Sequence, residues 1–340
     1  MISLISHLSK VMLKTILNRQ VEKIIAEEQA GFRAGRSTTD QIFNLRIHCE
    51  KYLQHQQRPL PCCHRLQEGL RQGWHAALWA MMEKYNISTN LTRVIRNLHD
   101  KATSAVLFNS SRGDWFQTTA GVRQECLLSP THFNIFLERI MTDALEDHEG
   151  TVSIGGRTIT SLCFADDIDG LAGEEELAKL VEHLDKASIA YSMEISAKKT
   201  KLMTNTISSI KKKKKKSKVN GQKLVTSFKY LGSVITDEGS KPEIPSRIAQ
   251  ATAALTRLKP VWSDRSISLR STIRLMRSLV TAIFLCACES WTLTAELQRR
   301  IQAMEMRCYR KLLHISHKGH VINEEVHTKI QQAIRPHEDL

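Results

Sequence analysis

The sequence predicts an α+β protein, because short strand pairs joined by turn residues occur among stretches with helical periodicity. Hairpins are indicated where apolar or β-branched runs flank turn residues: at 103–119 around Ser-Ser-Arg-Gly-Asp, at 152–159 around Gly-Gly, and at 161–170 around two aspartates. Another strand is indicated at 228–235. With 340 residues, 41% of them hydrophobic, the chain is long enough to bury a substantial core.

Helices are predicted on both sides of these hairpins. Apolar residues recur at spacings of three and four along each helical stretch, which places them on one face. Polar residues at 37–39 predict a cap for the second helix, and Ser129 with Pro130 predicts the N-cap and first turn of a later one. The predicted helices span about 2–25, 42–53, 74–100 with a break at 86–88, 129–145, 174–191, 244–258, 269–288 and 295–315.

The charge of the chain favours a polyanionic partner. A formal net charge of +14 and a pI near 9.5 indicate nucleic acid or an anionic membrane surface. The longest apolar run, 279–288, is far shorter than the ~20 residues of a spanning helix. His7, Lys10 and Lys14 interrupt the apolar stretch that a signal peptide would need. We therefore expect a nuclear or cytoplasmic protein that binds nucleic acid rather than a membrane.

The cysteines do not indicate a metal site. The eight cysteines include no C-x-x-C motif and no Cys/His spacing suited to zinc. Reduced and mostly buried thiols are therefore expected.

Two adjacent carboxylates, Asp166 and Asp167, stand at the predicted tip of the hairpin at 161–170. Neighbouring carboxylates can bridge divalent cations, because Mg²⁺ prefers oxygen ligands and phosphate-handling sites use few protein ligands. Aspartate is also a favoured turn residue for reasons unrelated to catalysis. The pair by itself therefore leaves both interpretations open.

Two further basic features suit either contact with phosphate or an ordinary solvated loop. Arg33 and Arg36 lie beside glycines, which places guanidinium groups next to an approachable backbone, as in phosphate sites or in ordinary surface loops. The lysine run at 211–216 suits a solvated loop, nuclear import or phosphate contact.

Five segments occur along the chain in a recognisable order: Gly-Phe-Arg-x-Gly-Arg-Ser-Thr-x-Asp-Gln, Gly-Val-Arg-Gln-x-Cys-Leu-Leu-Ser-Pro, Phe-Ala-Asp-Asp, Lys-Thr-Lys and Phe-Lys-Tyr-Leu-Gly. Their order resembles the reverse transcriptase of non-LTR retrotransposons, and the similarity runs from about Ser3 to the C-terminus. The resemblance implies a right-hand polymerase with fingers, a palm built on an antiparallel sheet, and a helical thumb. The implied domains are partial fingers at 1–57, a disrupted segment in place of the first palm strand at 58–73, palm at 74–206, a lysine-rich loop and primer-grip-like hairpin at 207–243, and thumb with connection at 244–340.

The resemblance also implies an activity. Reverse transcriptases of this kind transfer a nucleotide from a dNTP to a primer 3′-OH with two Mg²⁺ (or Mn²⁺) ions, on an RNA template and a DNA primer. By the match, Asp166 and Asp167 would hold metal and Lys199 would neutralise or protonate the leaving pyrophosphate. The implied residues that bind nucleotide or template are Arg33 and Arg36, in the fingers, and Gly121 and Gln124. The implied primer grip consists of Tyr230, Leu231 and Gly232.

The segment 58–73 departs from the family, since it contains no aspartate where the family has a further metal-binding one, and it shows no clear strand or helix period. One set of codons permitted for these residues, read one base later, encodes Asp-Leu-Tyr-His-Val-Val-Ile-Asp-Phe-Lys-Lys-Ala-Phe-Asp-Arg-Val. That reading supplies the missing strand and acid. We therefore hypothesise that one base gained near Arg58 and one lost before Trp74 scrambled the segment.

A second departure is Glu125, which stands where the family has glycine in a loop close to the nucleotide. Together the departures predict a weak or inactive polymerase in this copy. The alternative is a non-catalytic basic protein that keeps RNA or DNA binding without the chemistry.

Overall fold

The computed structural model divides the chain into two compact units, Met1–Thr226 and Ser227–Leu340. We refer to them as unit 1 and unit 2. Both contain helices and strands, so the predicted α+β class is confirmed. The structure describes residues 7–54, 60–67, 74–100, 103–117, 126–146, 153–154, 156–172, 174–191, 193–196, 200–203, 218–219, 222–225, 227–236, 239, 241–316 and 319–334.

The helices of unit 1 follow the predicted periodicity closely, with boundaries shifted by a few residues. They are α1 (His7–Val21), α2 (Thr38–Gln54), α3 (Trp74–Lys84), α4 (Thr89–Asp100), α5 (Ser129–Leu145) and α6 (Glu174–Ala190).

The strands of unit 1 include the predicted hairpins at 153–158 and 161–172. Within 103–117 the chain forms two strand pairs, an inner and an outer one. The strands are β1 (Leu60–Gln67), β2 (Thr103–Ser104), β3 (Leu107–Phe108), β4 (Ser111–Arg112), β5 (Phe116–Gln117), β6 (Ser153–Ile154), β7 (Arg157–Thr158), β8 (Ser161–Phe164), β9 (Asp167–Ala172), β10 (Glu194–Ile195), β11 (Lys201–Met203), β12 (Lys218–Val219) and β13 (Gln222–Val225).

The main sheet of unit 1 has the strand order β12-β13-β11-β1-β9-β8, and β10 also pairs with β1. All neighbours are antiparallel except β11 and β13. Strand β1 lies inside this sheet, although its sequence shows no strand period. Its backbone finds partners on both sides, in β9 and β11, and such pairing overrides weak local preference.

The core of unit 1 is built from the helices that cover this sheet. Buried apolar residues of α3, α5 and α6 pack with residues of the acidic hairpin. Cys163 and Ile168, from the two strands of that hairpin, belong to the same cluster. The hairpin is therefore anchored in the core next to its tip.

The two predicted helix starts have different outcomes. At α2 the Ser37 hydroxyl accepts a hydrogen bond from the Asp40 amide, and the Asp40 carboxylate accepts one from the Ser37 amide, so the predicted cap is confirmed. At α5 the predicted Ser129 cap is wrong. The helix already includes Ser129, Leu128 holds the N-cap position without a side-chain bond, and only Pro130 in the first turn matches.

Unit 2 contains one hairpin followed by helices. Its core joins residues from α7 and from the later helices, Trp262 and Ile330 among them. A π-helical turn, Arg277–Thr281, separates α9 from α10. The elements are β14 (Ser227–Tyr230), β15 (Ser233–Thr236), α7 (Glu243–Arg257), α8 (Lys259–Ser263), α9 (Leu269–Met276), α10 (Ala282–Phe284), α11 (Ala295–Leu312) and α12 (Asn323–Ile334).

The stretch Leu269–Ser290 is long and apolar enough, by length and composition, to cross a membrane. Its Ile273, Met276, Val280 and Phe284 all lie in the core of unit 2. About 33% of its most apolar window is buried, so part of the stretch packs within unit 2.

The six cysteines whose side chains the structure describes are all free thiols. Cys49, Cys126, Cys163 and Cys308 are buried. Burial raises the pKa of Cys49 to about 12 and that of Cys308 to about 11. The expectation of reduced, mostly buried thiols is confirmed for these residues.

Candidate active site

The two adjacent aspartates lie at the tip of a tight hairpin, as predicted. Strands β8 and β9 pair from Ser161 to Phe164, and the last pair joins Phe164 to Asp167. Only Ala165 and Asp166 lie in the turn. Ala165 has a φ of 54°, in the left-handed region, and both aspartates are partly buried. Two consecutive aspartates thus stand at one edge of the core.

Strand β1 brings position 65 next to this tip. The backbone register of β1 and β9 pairs Arg65 with Asp167. Residues directly opposite in an antiparallel pair share a face, with Cβ atoms ~5 Å apart. In the shifted-frame reading of 58–73, the eighth residue is an aspartate, and it falls at position 65. The backbone register thus places the position of the shifted-reading aspartate opposite Asp167, and the chain has an arginine there.

Asp169 is a second acidic residue of β9 that the motif search did not single out. It is fully buried and pairs with Cys63 on one side and Leu162 on the other. After burial, its negative charge is the largest contributor to the raised pKa of Cys49. Asp169 is therefore a core residue two positions into the strand. Its signal in the sequence was only its acidic type within an apolar run.

The arginines predicted to bind nucleotide differ in their surroundings. The Arg33 side chain is 6% exposed and its Nη2 lies 2.5 Å from Glu22 Oε1. Its Nη1 donates to the carbonyl oxygens of Ala26 and Gln29, at 2.6 and 2.9 Å. Arg33 therefore holds its own loop together, whereas Arg36 is exposed.

Several other predicted site residues cannot be placed. Gly121, Gln124, Glu125 and Lys199 lie outside the residues that the structure describes, as does the lysine run. Their roles stay predictions.

The predicted primer-grip segment forms a hairpin in unit 2. Strands β14 and β15 pair from Ser227 to Tyr230, and the turn residues Leu231 and Gly232 have φ of 46° and 89°. Glycine suits such a turn because it has no Cβ to strain. The Tyr230 side chain is buried. Leu231 and Gly232 therefore form the accessible end.

A buried ion pair on α7 fixes this turn. Arg247 Nη2 donates to the carbonyl of Gly232 at 2.9 Å, and Arg247 Nε lies 2.6 Å from Glu243 Oε1. The other carboxylate oxygen of Glu243 accepts the amide of Val234. The hairpin and the first helix of unit 2 are thereby joined through charged groups.

A basic groove runs along α7 and α11 in unit 2. It consists of two adjoining depressions of about 810 and 940 Å³. Small residues such as Ala249, Ala253 and Ala303 lie along it, and none of the lining residues is acidic. A concave surface of this charge suits a phosphate backbone. Its cationic residues are Arg257, Lys259, Arg299, Arg300, Arg307, Arg310 and Lys311.

The residues at the acidic tip fit a divalent cation only in part. Asp166 and Asp167 offer the oxygen ligands that Mg²⁺ prefers. In the part of the chain that the structure describes, no cluster of three or more His, Cys, Asp or Glu side chains is arranged for a metal ion. The tip thus offers two adjacent carboxylates and no third one at position 65.

A sheet flanked by helices, with paired aspartates at the tip of a core hairpin, is an arrangement suited to metal-dependent nucleotidyl transfer. The profile of the reverse transcriptase (RNA-dependent DNA polymerase) family matches residues 1–235. The chain belongs to this family, and its resemblance to non-LTR reverse transcriptases is confirmed. Members of the family generally use a divalent metal ion.

Named relatives come from mobile elements. The chain is 28% identical over 167 residues to a putative uncharacterized transposon-derived protein of Caenorhabditis elegans. The matched region covers 48% of this chain and 60% of that protein. It is 23% identical over 328 residues to the RNA-directed DNA polymerase from mobile element jockey of Drosophila funebris, covering 91% of this chain and 35% of the relative. The chain therefore spans less than two thirds of either relative.

Among solved structures, similarity is found to telomerase from Candida albicans in complex with a fragment of telomeric RNA. The TM-score is 0.49 and the sequence identity 12%, over 95% of this chain and 54% of that chain.

Proposed function

We propose that this chain is the polymerase part of a non-LTR reverse transcriptase, in a copy whose nucleotidyl transfer is severely impaired. The observation that carries the proposal is the register of strands β1 and β9, which pairs Arg65 with Asp167 at the acidic tip. Family membership supplies the reaction, and the arginine at position 65 supplies the impairment.

The residues of the chain would share the work as follows. Asp166 and Asp167 would hold Mg²⁺ or Mn²⁺, which when bound supplies charge stabilisation to the entering and leaving oxygens. Lys199 would neutralise or protonate the leaving pyrophosphate. Gly121 and Gln124 would lie against nucleotide and template, while Leu231 and Gly232 would support the end of the DNA primer.

The substitution at position 65 reverses a charge where the reaction needs a negative one. An arginine there removes one ligand and adds repulsion toward a dication. Both the affinity for metal and the rate of nucleotide transfer would therefore fall.

Primer extension on an RNA template with Mg²⁺ or Mn²⁺ tests this proposal. We expect dNTP incorporation by the unmodified chain at or near the level of its Asp166→Ala variant. Robust incorporation that disappears in Asp166→Ala would confirm the family activity and refute the impairment.

The origin of the arginine is testable at the level of the encoding DNA. We propose that compensating base changes near Arg58 and before Trp74 displaced the reading frame. Codons across 58–73 that are incompatible with the shifted peptide would exclude this origin.

A second candidate function is a non-catalytic RNA or DNA-binding protein, nuclear or cytoplasmic. The basic groove of unit 2 favours it, because this surface does not depend on position 65. Binding of an RNA/DNA hybrid by the Asp166→Ala variant, with the affinity of the unmodified chain, would support this function. Loss of binding in that variant would count against it.

A further inference from the structure

We propose that Gln29 and Gly31 are positioning residues for the turn that carries Asp166. Gly31 begins the Gly-Phe-Arg segment, and Gln29 lies two residues before it. The predicted contribution of that segment was limited to its arginines. The importance of this contact for catalysis rests on the proposed function, whereas the contact itself can be tested without it.

The segment 28–30 runs beside strand β8 and extends the sheet. The amide of Cys163 donates to the carbonyl of Glu28 at 3.0 Å, and the amide of Ala30 donates to the carbonyl of Cys163 at 2.9 Å. These two bonds form a parallel bridge between Gln29 and Cys163. The bridge brings the side chain of Gln29 to the end of β8, where the turn begins.

Gln29 binds the turn directly. Its Oε1 accepts the amide of Ala165 at 3.1 Å and the amide of Gly31 at 2.7 Å. Gln29 is 4% exposed, so water does not readily replace this acceptor. Ala165 has a left-handed φ of 54°, which is unfavourable for a residue with a Cβ and persists only when neighbours hold it. The residue whose amide Gln29 Oε1 accepts, Ala165, directly precedes Asp166 in the chain.

Glycine is the only residue type that fits at position 31 without a shift of the neighbouring backbone. A Cβ at position 31 would lie 2.3 Å from the amide nitrogen of Ala165 and 3.0 Å from its Cα. The carbonyl of Gly31 accepts Asn134 Nδ2 at 2.9 Å, and Asn134 is a buried residue of α5. A chain of contacts therefore runs from α5 through Gly31 and Gln29 to the turn.

The consequence is geometric. The direction of the Asp166 carboxylate depends on the backbone of Ala165, and that backbone is held from the N-terminal segment and from α5. A displacement of ~1 Å at a reacting centre lowers a rate by roughly 100-fold. Gln29 and Gly31 therefore set the orientation of the metal-binding tip without touching the reacting groups.

Hydrogen exchange in the unmodified chain is the first test. The amide of Ala165 should be protected from exchange, like the amide of Cys163, although it lies at the tip of a hairpin. An unprotected Ala165 amide would overturn the proposal before any variant is made.

Variants then separate the acceptor from general stability. Gln29→Met keeps the length of the side chain and removes Oε1, so we expect the Ala165 amide to exchange roughly tenfold faster. Gln29→Glu keeps an acceptor and should restore most of the protection. The matched control is Gln20→Met, because Gln20 Oε1 accepts the amide of Ser88 at 2.9 Å and has no role at the turn. Equal exchange at Ala165 in Gln29→Met and Gln20→Met would refute the proposal.

Activity gives the second readout, in a chain that also carries Arg65→Asp. There Gln29→Met should lower kcat by roughly 100-fold and leave KM for dNTP within about twofold, while Gln20→Met leaves both unchanged. Similar kcat values in the two variants would overturn the positioning role. If Arg65→Asp itself shows no polymerase activity, the proposed function fails, and amide exchange still decides the contact.

Discussion

The two units of this protein differ in how their function depends on single residues. In unit 1 the proposed chemistry needs a few carboxylates at fixed positions, and in our proposal Arg65, opposite Asp167, stands where one of them is needed. In unit 2 the basic groove has seven cationic side chains, so no single one decides its charge. A catalytic site is therefore lost with one residue, whereas a phosphate-binding surface weakens gradually. The two units are expected to have lost function to very different degrees.

The largest expected effect concerns the basic groove of unit 2, in the salt dependence of its binding to nucleic acid. Three of the seven cations in the groove have protein partners, since Arg300 pairs with Glu296, Arg310 bonds to Asn323 and Arg299 Nε donates to the carbonyl of Ala295. Four phosphate contacts by the others would lower the affinity for an RNA/DNA hybrid by roughly 150-fold between 50 and 200 mM salt. Fluorescence anisotropy over that range measures it.

Arg307 lies at both depressions of the groove. Its replacement, Arg307→Ala, should reduce the slope of log affinity against log salt by ~1, while the exposed Arg265, outside the groove, serves as control in Arg265→Ala. Affinity independent of salt, or equal slopes in the two variants, would remove the groove from the account.

Stability of unit 2 should depend strongly on the buried ion pair that holds the turn between β14 and β15. Arg247 and Glu243 have side chains 6% and 1% exposed. Arg247→Ala leaves the Glu243 carboxylate buried without this partner, which should cost about 3 kcal/mol of unfolding free energy in urea. The matched control is Arg300→Ala, whose pair with Glu296 has side chains 51% and 67% exposed and should cost less than about 1 kcal/mol. Equal losses would show that burial of the pair has no consequence.

Acid should destabilise unit 1 through two buried histidines. Burial, with a smaller contribution from Lys51, lowers the pKa of His48 to about 4, and burial with the nearby His99 and His75 lowers the pKa of His132 to about 3. Below pH ~6.5 the unfolded chain binds protons at these rings that the folded chain does not. The stability they contribute is therefore complete above pH ~6.5 and falls by up to about 1.4 kcal/mol per pH unit per ring as the pH approaches the folded values.

A His132→Leu variant should lose part of this acid sensitivity, measured by urea unfolding between pH 7 and pH 4. Glu138 acts in the opposite direction, because burial raises the pKa of its carboxyl and its protonation favours the folded state. An unchanged pH slope in His132→Leu would contradict the assignment of the proton uptake to this ring.

The sequence predicts local features of this fold well. Helical periodicity places α5, α6, α7 and α11 within a few residues, and the Ser37 cap was recognisable from residue type alone. The acidic hairpin was equally visible, because its turn and its flanking apolar runs are adjacent in the chain. Each of these features depends on neighbours within a few residues.

The sequence does not predict the features that depend on distant residues. Strand β1 forms because β9 and β11 pair with it, and its own residues carry no strand period. The bond from Ala165 to Gln29 joins residues 136 positions apart. Arg33 was predicted to lie near nucleotide from its neighbours in the chain, and only the structure shows its bond to Glu22. Register and long-range contacts therefore required the folded chain.

The central claim is that position 65 decides the loss of chemistry, and a repaired chain tests it most directly. Primer extension on an RNA template is compared for the unmodified chain, Arg65→Asp and Arg65→Asn, the last of which removes the positive charge without supplying a carboxylate. A contribution of several kcal/mol from a metal-bound transition state corresponds to a rate increase of at least about 100-fold in Arg65→Asp, with little gain in Arg65→Asn. Equal rates in all three proteins would contradict the account.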